Sequence, residues 1–130
     1  MLNELQKLLS KQMLSSICTE ITMPNKNTIT FKPKYTFHKN KHDELYMLQK
    51  TSGGLFMSDS GVTLANLDDV FELGEPDIIK NIVAILRQFG MAKTQNIFFT
   101  KIDPEKPIIP QMFYFIQGIN FLYSMKIFYI

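Results

Sequence analysis

The sequence has no tryptophan, one cysteine, two histidines and one arginine among its 130 residues. A single thiol, Cys18, excludes an internal disulfide framework and a cysteine-based zinc site. Cys18 stands among Ile17, Thr19 and Ile21, an apolar setting that predicts a buried, inert thiol. A reactive one would need a neighbouring base, and nothing in the sequence links His38 or His42 to it. No phosphate loop, dinucleotide fingerprint, nucleophile elbow or zinc knuckle is present. The stock of reactive groups is thin, and no cofactor or metal is expected. Strong charge of either sign is also missing: the net charge is +2, so a nucleic-acid surface would have to be a local patch. The first residues, MLNELQKLLSKQML, lack an uninterrupted apolar run because Glu4, Lys7 and Lys11 break it, which predicts no signal peptide. From Pro107 to Ile130 the only charged residue is Lys126, a stretch long enough to raise a membrane span. Pro110, Gln111, Gln117 and Asn120 lie inside it, and a buried core helix is the reading adopted. The expectation is a cytoplasmic protein with no membrane contact.

What remains is an ordinary globular composition, 45% hydrophobic and 20% charged, enough for one domain over residues 1–130 with a real core. Leu2, Leu5, Leu8, Leu9 and Met13 form one apolar stripe, predicting a helix over 2–17. Ile17, Thr19 and Ile21 alternate with Cys18, Glu20 and Thr22, and Ile29 and Phe31 resume the alternation after MPNKN. This predicts a hairpin, with Pro24 ending its first strand. An extended segment through Tyr35 and Phe37 then runs into the polar loop HKNKHD. The apolar runs ELYMLQK and GLFMS around TSGG predict a second hairpin.

After SDSG, Leu64, Leu67, Val70 and Phe71 recur at helical spacing, with Thr63 as N-cap and Gly74 as the C-terminal stop. Pro76 opens a second helix carrying Ile78, Ile79, Ile82, Val83, Ile85, Leu86 and Phe89, and Gly90 stops it. NIFFTKI (96–102) reads as a strand and 110–129 as a final apolar helix, in which Gly118 marks close packing. The order α-β-β-β-β-α-α-β-α points to an α+β fold: an antiparallel sheet of four to five strands with helices on one side.

Asp59 is the residue most open to a chemical reading, because Asp68 and Asp69 could pair with it in a metal-dependent hydrolase. Asp and Ser before Gly are also what a tight turn requires, and the turn is the preferred reading. Residues 59–77 hold six acids, Asp59, Asp68, Asp69, Glu72, Glu75 and Asp77, and no lysine or arginine. Asp68, Asp69 and Glu72 share a helical face, an acidic patch suited to docking a basic partner. Residues 32–42 place Lys32, Lys34, Lys39, Lys41, His38 and His42 around Tyr35 and Phe37. Basic and aromatic residues so interleaved suit single-stranded nucleic acid, although lysines at a strand edge also block edge pairing.

LFMSDSGVTLANL, followed by two helical segments and a β-rich one, resembles the domain of unknown function 1828 family of Firmicute and phage or mobile-element genomes. The matching positions are Ser58, Asp59, Gly61, Thr63, Leu64 and Leu67. EITMPN, with Thr22 and Pro24, is similar to that family's Thr-Pro segment, though Met23 intervenes. The resemblance implies the order of elements and a phage or mobile-element setting, and it assigns no catalytic residue. The functional expectation is a small non-enzymatic inhibitor-type protein that occupies a host protein, such as a defence nuclease of the CRISPR effector kind. The alternatives are a nucleic-acid module built on 32–42 and the hydrolase around Asp59. The aromatic C-terminal helix is expected to meet a partner or a second copy in a homodimer.

Overall fold

The computed structural model describes residues 11–34, 45–68 and 76–124. The element order is α1 (Lys11–Leu14), β1 (Cys18–Asn25), β2 (Thr28–Pro33), β3 (Tyr46–Thr51), β4 (Gly54–Ser58), α2 (Val62–Asp68), α3 (Pro76–Gln88), β5 (Ala92–Thr94), β6 (Ile97–Ile102) and α4 (Ile108–Ser124). The strands form one six-stranded sheet in the order β1-β2-β3-β4-β6-β5, with every neighbouring pair antiparallel. The fold is α+β with helices on one side, as the segregation of strands and helices predicts.

The period of two in each strand decides which face is covered. Ile29, Phe31, Tyr46, Leu48, Leu55, Met57, Phe98 and Ile102 are buried beneath the helices. From α3, Ile78, Ile82 and Leu86 join them, and from α4, Met112, Phe115, Ile116, Ile119 and Leu122. Tyr46 is the joint between the layers. Its ring meets Phe31 of the sheet edge-on at 6.2 Å and Phe115 of α4 at 5.8 Å, separations at which edge-to-face aromatic pairs are favourable.

The sheet has more strands than the sequence pattern predicts because β5 carries no apolar alternation: Ala92, Lys93 and Thr94 are all exposed. Its hairpin with β6 turns at Gln95, at φ 54°, a position where the usual glycine or asparagine signal is missing. Pro24 does not end β1, which continues to Asn25. As an edge strand with irregular pairing around Glu20 and Thr22, β1 tolerates a residue that cannot donate to the ladder.

Two helix ends carry the fold's local chemistry. At the end of α3, Met91 N–H donates to Leu86 O at 2.7 Å and Gly90 N–H to Arg87 O at 3.1 Å. Gly90 has φ 68°, and the pair of bonds is the Schellman stop that a glycine makes cheap. The first turn of α4 contains Pro110, whose missing N–H would have had no intrahelical partner there. Gln111, inside the apolar stretch, accepts from Asp103 N–H at 2.8 Å and donates to Asp103 O and Pro107 O at 2.9 Å. The glutamine therefore ties the β6–α4 turn to the helix. α4 begins two residues before the expected start, at Ile108. Among the described residues no helix is long and apolar enough to cross a membrane.

Candidate functional site

Asp59 follows β4 and precedes α2. The chain turns there on Ser60 and Gly61, both at positive φ (58° and 85°), and Val62 N–H closes the turn on Asp59 O at 3.2 Å. Two left-handed central residues make a type I′ geometry. The Asp59 carboxyl has no exposed surface (0%). Its Oδ1 accepts from Gly61 N–H at 2.9 Å and Phe98 N–H at 3.0 Å, and its Oδ2 from Thr63 N–H at 3.1 Å. Asp59 N–H donates in turn to Phe98 O at 3.1 Å. One side chain thus caps α2, fixes the turn and bolts it to β6. Thr63, the expected N-cap, lies inside α2, and its buried Oγ1 makes no hydrogen bond of ordinary geometry.

A carboxylate sealed from solvent, with both oxygens held by amides, cannot reach a substrate. The geometry gives Asp59 to the turn. Among the described residues no group of three His, Cys, Asp or Glu side chains could hold a metal ion.

Burial pushes the Asp59 carboxyl above its usual range, while the nearby Thr63 hydroxyl and the amides of Gly61, Phe98 and Thr63 pull the other way. The native state therefore holds this proton more tightly than the unfolded chain does. Stability from it is fully present below the ordinary Asp range and is lost as pH rises through the raised native value. The stability gap between wild type and Asp59→Asn, measured by urea denaturation, is expected to be larger near about pH 3 than near about pH 7. A gap that widens with rising pH would show that the site favours the charged form. Burial also lifts the Cys18 thiol to about 12, against the opposing pull of Lys34, which leaves it without thiolate at neutral pH.

Of the other predicted site residues, Lys32 and Lys34 are the ones whose side chains the structure describes. Lys32 pairs with Glu20 at 2.9 Å, and Lys34 Nζ donates to Ser15 O at 2.6 Å. Two of the lysines assigned to a nucleic-acid segment are thus engaged within the protein. Tyr35, His38, Lys39, Lys41 and His42 lie outside the described residues, as do Asp69, Glu72 and the side chain of Asp68. So do residues 2–10 of the expected first helix and its leucines, and Gly74.

Two surfaces emerge, of which the sequence anticipated the first only as an aromatic C-terminal helix and did not assemble the second. On the outer side of α4, Phe113, Tyr114 and Phe121 are 39%, 52% and 48% exposed. The rings of Tyr114 and Phe121 lie 5.2 and 5.6 Å from Phe89 at the end of α3. Gly118 lets α4 approach that point: a Cβ there would stand 2.7 Å from Met91 Sδ and 3.0 Å from Phe89 Cβ. The second surface is the sheet face turned away from the helices. Met47, Gln49, Phe56, Ser58, Ser60, Thr94, Ile97 and Phe99 line a shallow depression there of about 460 Å³. Its signal was available in β4, where Phe56 and Ser58 alternate against the buried Leu55 and Met57. No family model, curated protein or solved structure matches the chain.

Proposed function

We propose that this is a small non-enzymatic protein of phage or mobile-element type that works by occupying a host protein. A defence nuclease such as a CRISPR effector belongs to that class of target. The observation that carries the binding role is the aromatic face of α4. Tyr114 and Phe121 are about half exposed around Phe89, whereas Phe31, Tyr46, Phe98 and Phe115 are buried in the core. Clustered exposed aromatics are the residues that anchor protein interfaces, where truncating one costs 2 kcal/mol or more, roughly a thirtyfold loss of affinity. The burial of Asp59, with its oxygens held by backbone amides, is in keeping with a turn role and lends the hydrolase alternative no support.

The test is affinity capture of the tagged protein from lysate of its native host, after nuclease treatment, alongside the double variant Tyr114→Glu, Phe121→Glu. Both side chains are about half exposed but pack on Phe89, so circular dichroism must first show that the variant is folded at the temperature of capture. Wild type is expected to retain one protein in stoichiometric amount, and the double variant is expected to lose it. Equal capture by both would remove the α4 face from the account. A concentration-dependent dimer in sedimentation that the variant dissociates would assign the face to a second copy instead.

A further inference from the structure

The sheet's outer face has a chemistry of its own, set by register. Gln49 lies opposite Phe56, and Met47 opposite Ser58. Across the next ladder Phe56 lies opposite Lys101, and Ser58 opposite Phe99. Thr94 faces Ile97, and Ala92 faces Phe99. Phe56 and Phe99, from adjacent strands, meet edge-on at 6.2 Å and are only half buried, while Ile97 is 40% exposed. Two rings therefore stand side by side on this face of the sheet, with none of the described helices over them.

The charge on this face is small and positive. Lys101 stands on it, opposite Phe56, and Lys32 at its far side is paired with Glu20, whereas Lys50 and Lys93, opposite the buried Leu55 and Phe98, belong to the helix-covered side. Glu20 of β1 is the one acid among the strand residues, and it is paired with Lys32. Lys101 is exposed directly beside Phe56. An aromatic platform with a lysine beside it complements a nucleic-acid strand whose bases stack on the rings while the ammonium meets a phosphate. The polar residues around the rings, Gln49, Ser58, Ser60 and Thr94, both donate and accept hydrogen bonds, as base edges and a 2′-hydroxyl require.

We infer that this face binds single-stranded RNA, with bases stacked on Phe56 and Phe99 and a phosphate held by Lys101. The site is separate from the aromatic face of α4 and does not depend on it. It also differs from the 32–42 segment, since Lys32 and Lys34 are occupied elsewhere.

The test uses the purified full chain and a labelled oligouridine RNA of roughly ten nucleotides, followed by fluorescence anisotropy. Affinity is expected to fall as salt rises from about 50 to about 200 mM, with a log–log slope of about −0.7 for each phosphate contacted. Phe56→Leu and Phe99→Leu keep an apolar side chain at each position. Each should weaken binding about tenfold with the salt slope unchanged. Lys101→Gln should reduce the slope by one phosphate's share, about 0.7. Tyr114→Glu with Phe121→Glu should leave RNA binding intact, which separates this inference from the proposed protein partner. Melting temperatures within the wild-type range show that each variant is folded.

Absence of binding at low salt would overturn the inference, as would full affinity in both Leu variants. Oligothymidine DNA or a duplex bound as tightly as the RNA would also overturn it. So would a host protein captured through Phe56 and Phe99.

Discussion

Asp59→Ala is expected to cost about 4 kcal/mol of folding stability and to leave a chain that melts far below wild type. Three backbone amides, those of Gly61, Thr63 and Phe98, would lose their acceptor. The bonds from Thr63 and Phe98 are buried and that from Gly61 is partly so, and an orphaned buried donor costs about 1–3 kcal/mol. Small domains have only about 5–15 kcal/mol in all, so the loss approaches the unfolding limit. Asp59→Asn should lose roughly half as much, because the amide oxygen can still serve Gly61 and Phe98 while its NH2 cannot accept from Thr63. Urea denaturation of the three proteins checks the order. An alanine variant within about 1 kcal/mol of wild type would contradict the role assigned to this side chain.

Gly118→Val should be the next largest effect, a loss of about 3 kcal/mol. The Cβ position at Gly118 is already within 2.7 Å of Met91 Sδ and 3.0 Å of both Cβ and Cγ of Phe89. Valine adds two methyls to that contact and is stiff at χ1 in a helix. The end of α3 must move, and with it the Schellman turn that holds Met91. Gly118→Ala is the control. It gains about 1 kcal/mol of helix propensity, which offsets part of the crowding, so a loss well below that of valine is expected. Thermal unfolding orders the two. If valine is tolerated as well as alanine, α4 is not in tight contact with Phe89 and Met91.

The hairpins were legible in the sequence because each strand announces itself by alternation and each turn by its residues: Ile29 and Phe31 against Thr28 and Thr30, and Thr51-Ser52-Gly53-Gly54 between β3 and β4. Helix α3 was legible for the same kind of reason, from Ile78, Ile82 and Leu86 at steps of four to the stop at Gly90. β5 was not, because three exposed residues carry no burial pattern. It exists because β6 offers it an edge. Asp59 could be read as a turn residue from SDSG, but the bond to Phe98 joins residues 39 apart and only the folded register creates it.

The surfaces were hidden in the same way. Phe56 and Phe99 come from separate runs and become neighbours only across the β4–β6 ladder. Tyr114 and Phe121 look like core residues in so apolar a helix. What distinguishes them is the sheet's position, which covers Phe115 and Ile119 and leaves the opposite side open. Composition states how many rings there are, and three-dimensional placement decides which of them remain available.

The central claim is that the protein acts by occupying a partner through the aromatic face of α4. The most direct measurement is the activity of the captured host protein, titrated with purified wild type and with the Tyr114→Glu, Phe121→Glu variant. The account predicts that wild type suppresses that activity saturably near stoichiometry and that the variant needs at least about thirtyfold more. Partner activity unchanged by an excess of wild type, or suppressed equally by both proteins, would contradict it.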